Sequence, residues 1–372
     1  MLVVQIGGGL LFAAAVVYLL LALVGALRFR LDPPGRGFRP AVTVMLPCCG
    51  APPRLAECLR SLCDQDYDGP FQVVFGLHSA DDPAAAVIAQ VLAGFPGLDA
   101  TVVADPRKIG SHPKTNNLNN MMAAVKHDLI AVVDSDVIVE RNFLAAIVAP
   151  FADPKVGATT CIYKGAAQPD FASRLGACYI NDWFIPSALV DMTVHGLTLT
   201  YGAAAAVRRA ALEQVGGFPA MATLVSQDYA MGNLVRRAGW RIALAQSVVA
   251  TVVAEAGLSG LYRHEVRWMR SIRATRPLDH ALWISSSALV PLAVLSPAWP
   301  LPVAAGALGT YCALRLALHL LLRRRILLPP VEPLMLPVRE VANFALWTGS
   351  LMGKRVHWGN QVMSVEGGKL SE

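Results

Sequence analysis

Charge is what this 372-residue chain has least of. Only 16% of its residues are Asp, Glu, Lys or Arg, whereas 55% are hydrophobic and the mean hydropathy is +0.47. A soluble domain is about a quarter charged, so part of the chain must lie where charge is expensive. The seven cysteines (Cys48, Cys49, Cys58, Cys63, Cys161, Cys178 and Cys312) are odd in number and form no pair of C-x-x-C knuckles, so neither a zinc ribbon nor a disulfide framework is expected. They read as reduced, mostly buried thiols. A glycine fingerprint after a strand is also missing: Gly7-Gly8-Gly9 lies inside an apolar run, which excludes a dinucleotide enzyme. The chain has no internal repeat and no low-complexity linker. Its net charge of +6 and pI near 9.0 suit anionic lipid or an anionic substrate. The basic residues cluster beside the apolar segments and are not interleaved with exposed aromatics, so nucleic acid is not an expected partner.

Residues 2–27 carry no charged side chain, and Gln5 is the only strongly polar one. This exceeds the roughly 20 residues that cross a bilayer. A cleavable leader fits less well, since no charge precedes the run and its length exceeds a usual leader core. Arg28, Arg30, Arg36 and Arg39 follow directly, so residues 1–27 are expected to be an N-terminal transmembrane anchor with the rest starting in the cytoplasm. Residues 40–276 read as an α/β domain. Apolar runs at 42–46, 71–77, 101–104 and 129–133 alternate with helical periodicity at 54–65, 83–92 and 115–125. Near-continuous apolar strands imply a parallel sheet covered on both faces, with ligands just past the strands' carboxyl ends. Residues 283–322 are expected to form two transmembrane helices, broken near Pro297, Pro300 and Pro302 and closed by Arg323, Arg324 and Arg325. An out-and-back path returns those arginines to the cytoplasm, as the charge rule requires. Residues 326–372 hold an apolar stretch at 334–352 that includes Arg339 and Glu340; it spans the membrane or lies in the interface, ahead of a tail beginning with Lys354 and Arg355.

Three groups of residues are candidates for chemistry. Asp134 and Asp136 directly follow an apolar strand, and on a continuing strand both would project to one face. Such a pair of hard oxygen ligands suits Mg²⁺ or Mn²⁺, which neutralises a diphosphate; alone, the pattern is also that of a solvated loop. Ser226 is a candidate helix cap that puts Asp228 in the first turn. There Asp228 is either a helix-start carboxylate or a general base. Arg263, His264, Arg267, Trp268, Arg270 and Arg273 crowd one probable helix, as a diphosphate site, a membrane-surface face, or both.

Taken in order, these motifs resemble a processive-type family-2 glycosyltransferase and, more closely, the ceramide glucosyltransferase family. Three further matches carry the resemblance: Asp81-Asp82-Pro83-Ala84 after the second strand, the run from Gly110 to Leu118, and Gly216-Gly217-Phe218 before Asp228. The resemblance runs from about residue 42 to the C-terminus, with the anchor before it. It implies a GT-A fold, an α/β nucleotide-sugar-binding domain. It also implies transfer of a hexose from a UDP-sugar to a membrane lipid by single inverting displacement. Asp81 or Asp82 would contact the uridine, and Lys114 and Asn117 would line the donor pocket. Asp134 and Asp136 would bind the donor and its Mn²⁺ or Mg²⁺, with Asp136 the more direct ligand. Asp228 would be the base, while Arg267 and Trp268 would hold the diphosphate and shape the acceptor site. Acceptor-side candidates are His264, residues 172–185 including Trp183, and residues 334–352. Two positions depart from the family: His264 stands where Gln or Arg is usual, and Gln227 where Glu is common. The expected donor is UDP-glucose and the acceptor ceramide, the alternative being a hopanoid that receives an N-acetylglucosamine-type sugar. A bacterial inner membrane is the expected location. A transporter would not need the long soluble stretch, and a dead scaffold would not keep the carboxylates.

Overall fold

A computed structural model describes residues 1–31, 37–255, 257–328, 333–358 and 361–371; Arg36, and parts of the 326–372 segment, lie outside the described residues. In chain order the first elements are α1 (Leu2–Arg28), β1 (Val42–Pro47), α2 (Leu55–Cys63), β2 (Phe71–Leu77), α3 (Ala84–Leu92), β3 (Asp99–Ala104), α4 (Pro113–Met121) and β4 (Leu129–Val133). Then come β5 (Val137–Ile138), α5 (Phe143–Val148), β6 (Val156–Ala167), α6 (Phe171–Tyr179), α7 (Ile185–His195), β7 (Ala204–Arg208), α8 (Arg209–Gln214), α9 (Gln227–Arg237) and β8 (Arg241–Val253). The chain continues through α10 (Gly257–Thr275), α11 (Pro277–Leu282), α12 (Leu289–Leu295), α13 (Leu301–Arg325), α14 (Met335–Leu351), β9 (Arg355–Trp358), β10 (Gln361–Glu366) and β11 (Lys369–Ser371). These elements sort into two units. The α/β unit comprises Leu31–Lys164, Leu197–Ala254 and Lys369–Glu372, and the helical unit comprises Met1–Arg30, Gly165–Gly196 and Glu255–Gly368.

In the α/β unit the sheet order is β3-β2-β1-β4-β7-β6-β8-β5. The strands β3, β2, β1 and β4 run parallel, as their unbroken apolar character requires. An entirely parallel sheet does not form, however: β7 runs antiparallel to β4, β6 to β7, and β5 to β8. Side chains of β1, β2 and β4 are almost wholly buried, with Val42, Val44, Leu46, Val73, Phe75, Ala131 and Val133 in one core cluster. Met45, Val74, Ile130 and Val132 face a second cluster on the opposite side. The alternation of the two sets along each strand is the period-two pattern of a sheet covered on both faces.

In the helical unit, α1 buries Gly8, Ala15, Leu19, Ala22, Gly25 and Ala26. Small residues spaced three, four and seven apart let neighbouring backbones approach closely. A Cβ on Gly25 would lie 3.0 Å from Leu189 Cβ on α7. By length and composition α1 and α13 can each cross a membrane. The stretch expected to span at 283–299 is a pair of helical segments, Pro277–Ser287 and Leu289–Ala298, that meets the length and composition of a span only when taken together and is bent by 71° at its break. The hydroxyls of Ser285 and Ser286 bond back to the carbonyls of Leu282 and Trp283, a competition that opens a helix at this point.

Charged side chains inside this unit are paired, since an unpaired ion costs several kcal/mol in an apolar interior. Arg315 of α13 pairs with Glu340 at 3.6 Å, His319 bonds Asp182 at 2.7 Å, and Arg339 grips Glu265 through two bonds of 2.9 and 2.8 Å. Asp182 sits in a widened π turn, Ile180–Phe184, between α6 and α7. All six are buried.

Candidate active site

The α/β unit gathers several of the candidate side chains at the carboxyl end of β4. Asp134, Ser135 and Asp136 do not continue that strand. They form a turn in which Val137 N donates to Asp134 O at 3.2 Å, before β5 pairs with β8. Asp134 N donates to Ala203 O at 3.0 Å, extending the β4–β7 ladder by one step. The main chain of Asp136 is held as well, with Val252 N donating to its carbonyl at 2.8 Å. Both carboxylates are therefore carried on a turn fixed by the antiparallel half of the sheet.

Lys114 enters from the first turn of α4. Its ammonium pairs with the Asp134 carboxylate and lies 3.5 Å from Gly202 O. Burial alone would depress this amine, but the charges of Asp134, Asp228 and Asp136 outweigh it and hold it above its usual value. Asp228 occupies the first turn of α9, where Ser226 is the N-cap residue but makes no side-chain capping bond. The Asp228 carbonyl accepts from Thr200 Oγ1 at 2.6 Å. A Cβ on Gly202 would stand 2.7 Å from Asp228 Oδ2, so glycine there gives the carboxylate its room. Burial raises the Asp228 carboxyl and Asp134 adds to the rise, whereas Lys114 opposes it.

Two ties bring α4 and α9 together. His112 N donates to Ala222 O at 2.8 Å, joining the loops that precede the two helices. The C-terminal strand β11 overlays the same loops: Leu370 N donates to Thr223 O, and Ser111 Oγ to Leu370 O, each at 2.7 Å.

The remaining expected donor residues are built differently. Asp82 Oδ1 accepts from Gly50 N and Ala84 N, both at 2.8 Å, pinning the loop after β1 to the start of α3. The neighbouring Asp81 is exposed. Asn117 is buried beneath β2, donating to Gly76 O at 2.9 Å while its Oδ1 has no hydrogen-bond partner among the described residues. Asn116, absent from the expected set, holds the preceding loop by accepting from Ile109 N and Gly110 N at 3.0 Å.

The Arg-Trp box lies in the helical unit, on α10. Arg270 and Arg273 are committed to the end of α14, where they donate to the carbonyls of Met352, Arg355, Ser350 and Gly353. Basic side chains at a helix C-terminus satisfy its orphan carbonyls. Arg263 bonds Ser259 at 3.1 Å, and Trp268 stacks on Tyr179 with centroids 5.9 Å apart. Arg267 remains half-buried beside them in sequence. Trp183, an acceptor-side candidate of this unit, is 0% exposed, donates to Ser286 O at 3.0 Å and lies under the Arg315 guanidinium. Its position on the widened turn of a helix that packs on both faces rotates it inward.

Residues the sequence reading missed are Thr200, Gly202, Ala203 and Glu255. A glycine just before a run of small residues is the signal for the first three; Glu255 has none. All seven cysteines are free thiols, with Cys49 and Cys312 exposed and the other five buried.

Comparison with known proteins matches residues 9–371 to the family described as Glycosyl transferase family 21. Ceramide glucosyltransferase 1 of Caenorhabditis elegans is 20% identical over 239 residues, covering 64% of this chain and 51% of the worm protein. An N-acetylglucosaminyltransferase of Mesorhizobium japonicum is 26% identical over 269 residues, covering 64% of this chain and 58% of the relative. The chain thus matches a little over half the length of each of these two curated relatives. Among solved structures, the mannosyltransferase PcManGT from Pyrobaculum calidifontis, in complex with GDP-Man and Mn²⁺, superposes with a TM-score of 0.62 at 21% identity. That match covers 94% of this chain and 98% of the other, and the likeness is one of fold. The chain has the GT-A fold and belongs to glycosyl transferase family 21.

Proposed function

We propose that the chain moves a hexose from a UDP-sugar, UDP-glucose in the first instance, to the primary hydroxyl of a membrane lipid, ceramide in the first instance. The observation that carries this reading is the convergence of Asp134, Lys114 and Asp228 in a family 21 chain. Asp228 takes the proton from the lipid hydroxyl, which attacks the anomeric carbon from the face opposite the leaving UDP and yields a β-glycoside. Lys114 stays cationic beside Asp228 and opposes the rise that burial imposes on its carboxyl. Asp82 steadies the loop that meets the uridine, and Arg267 and Trp268 act on the diphosphate and acceptor side.

A divalent cation is part of the reading. Among the described residues no group of three or more His, Cys, Asp and Glu could hold an ion alone, and Asp134 is already paired with Lys114. Asp136, assisted by Asp134, suits Mn²⁺ or Mg²⁺ whose other ligands come from the donor diphosphate. Bound there, the ion would neutralise charge on the departing UDP.

Likeness to the Mesorhizobium and Bradyrhizobium N-acetylglucosaminyltransferases favours one second reading of the sugar, an N-acetylhexosamine; the acceptor in that reading is a hopanoid. The proposed location is a bacterial inner membrane with the α/β unit in the cytoplasm. The test uses the full chain in detergent with Mn²⁺ or Mg²⁺, labelled UDP-glucose or UDP-N-acetylglucosamine, and ceramide or hopanoid. Label should pass to one lipid with wild type and not with Asp228→Asn. Transfer undiminished in the variant would remove Asp228 as base, and no transfer under any pairing would overturn the lipid reading.

A further inference from the structure

The helical unit contains a second constellation that the chemistry above leaves unused. Glu255 accepts a hydrogen bond from His264 Nδ1 at 2.5 Å. Burial would push the Glu255 carboxyl up, but the bond to His264 and its charge prevail and hold it below the usual carboxylate range. An ionised carboxylate only accepts, so the proton between the two groups sits on Nδ1. The imidazole is braced on its other side, edge-on to Trp268 with centroids 4.4 Å apart, and Trp268 in turn stacks on Tyr179. Among the described residues Nε2 has no partner, and 31% of the His264 side chain is exposed. The result is one ring nitrogen fixed in direction and open to a ligand.

The surroundings decide what that ligand is. Among the described residues, Glu255 Oε2 is buried with no hydrogen-bond partner. Asp170 and Glu265 add negative charge around Glu255. The cation Arg339 is taken up by its two bonds to Glu265. The carboxylates of Glu255, Asp170 and Glu265 disfavour an anion at Nε2 itself, which leaves any phosphate to Arg267 further along the helix. A hydroxyl is neutral and both donates and accepts, so it suits Nε2 in either protonation state.

We infer that Glu255 and His264 form a carboxylate–imidazole dyad whose Nε2 binds a hydroxyl on the polar head of the acceptor lipid. This rests on the lipid-acceptor reading above. Glu255 is a positioning residue, acting through the imidazole, and His264 is the contact. The same arrangement gives a role to the one box position that departs from the family's usual Gln or Arg.

The test is steady-state kinetics on the full chain in detergent micelles, with UDP-sugar and a short-chain ceramide varied independently and thermal melting as the folding control. His264→Phe keeps a flat ring and removes both nitrogens. It is expected to raise the acceptor KM about tenfold, the size of one lost hydrogen bond, and to leave the donor KM unchanged. His264→Gln, whose amide can still reach a hydroxyl, should restore most of the loss, a rescue that a purely structural role would not give. Glu255→Gln, which changes no volume, should raise the acceptor KM in the same sense and carries the test if the Phe variant melts early. A donor KM that rises while the acceptor KM stays put overturns the dyad's assignment, as does an acceptor KM unmoved in both variants. Wild type that glycosylates no lipid overturns the dyad and the lipid reading together; wild type that glycosylates ceramide with both variants unaffected overturns the dyad alone.

Discussion

Asp228 stands between opposing influences: burial and Asp134 raise its carboxyl, and Lys114 lowers it. A base works only when deprotonated, so activity is lost as pH falls through the raised value. The acid limb of kcat/KM should therefore lie above the ordinary carboxylate value of about 4. Lys114→Met removes the opposing cation and should move that limb further towards neutrality; a limb that stays put would show that Lys114 does not act on the base. Asp228→Asn should cost roughly 10²- to 10⁴-fold in kcat, the usual contribution of a positioned general base. Gly202→Ala tests the room beside this carboxylate. The added methyl would sit 2.7 Å from Oδ2, so the base must shift. A loss of about 10²-fold in kcat with an unchanged melting temperature is expected, because small misplacements at a reacting group are costly. At this scale the carboxylates were legible because Asp134 and Asp136 end an apolar strand and Asp228 opens a helix. Gly202 was not, since its importance lies in a close approach between segments remote in sequence. The burial of Trp183 was not legible either, because a helix packed on both faces gives no polar side from which to judge direction.

Among the elements, β11 is short but sits where α4 and α9 begin. Its bonds to Thr223 and Ser111 hold the loops that set the distance from Lys114 to Asp228. Truncation after Gly368 should lower kcat more than it lowers the melting temperature of the α/β unit, checked by assay and thermal melt on the same sample. A truncated chain with full kcat would show that the His112–Ala222 bond suffices. The buried pair Glu265–Arg339 joins α10 to α14, and breaking one side strands an ion. Arg339→Leu should destabilise by about 3–5 kcal/mol, while the double change Glu265→Met with Arg339→Leu should cost less. Denaturant titration in detergent distinguishes them. The parallel half of the sheet was readable because strands buried on both faces are apolar throughout. The antiparallel half escaped because β7 is mostly alanine, which suits a helix as well, and because β6 and β8 mix polar with apolar positions. Arg270 and Arg273 read as part of a diphosphate site, a membrane-surface face, or both, because sequence shows their charge but not the helix end that needs them.

For the molecule as a whole, low charge content foretold membrane helices, and α1 and α13 meet the length and composition of spans. The arginines predict an orientation: Arg28 ends α1 with Arg30 just beyond it, and Arg323, Arg324 and Arg325 end α13, so both of these ends should face the cytoplasm. The bent pair at 277–298 would carry the chain across between them. Two free thiols make this measurable. Cys49 is exposed in the α/β unit, and Cys312 is exposed on α13, where its surroundings would be lipid. A membrane-impermeant maleimide should label Cys49 in inverted vesicles and not in intact cells. Cys312 should resist the impermeant reagent from either side and yield only to a membrane-permeant one. Burial and the neighbouring Asp82 raise the Cys49 thiol, so less thiolate is present at neutral pH and labelling should quicken as pH rises. Cys49→Ser identifies the labelled site. Labelling of Cys49 in intact cells would reverse the expected orientation and put the candidate carboxylates on the side of the membrane opposite the cytoplasmic nucleotide-sugar pool. Protection there, with labelling in inverted vesicles, would put Asp134, Asp136 and Asp228 on the cytoplasmic side, where a UDP-sugar donor must be available for the proposed reaction.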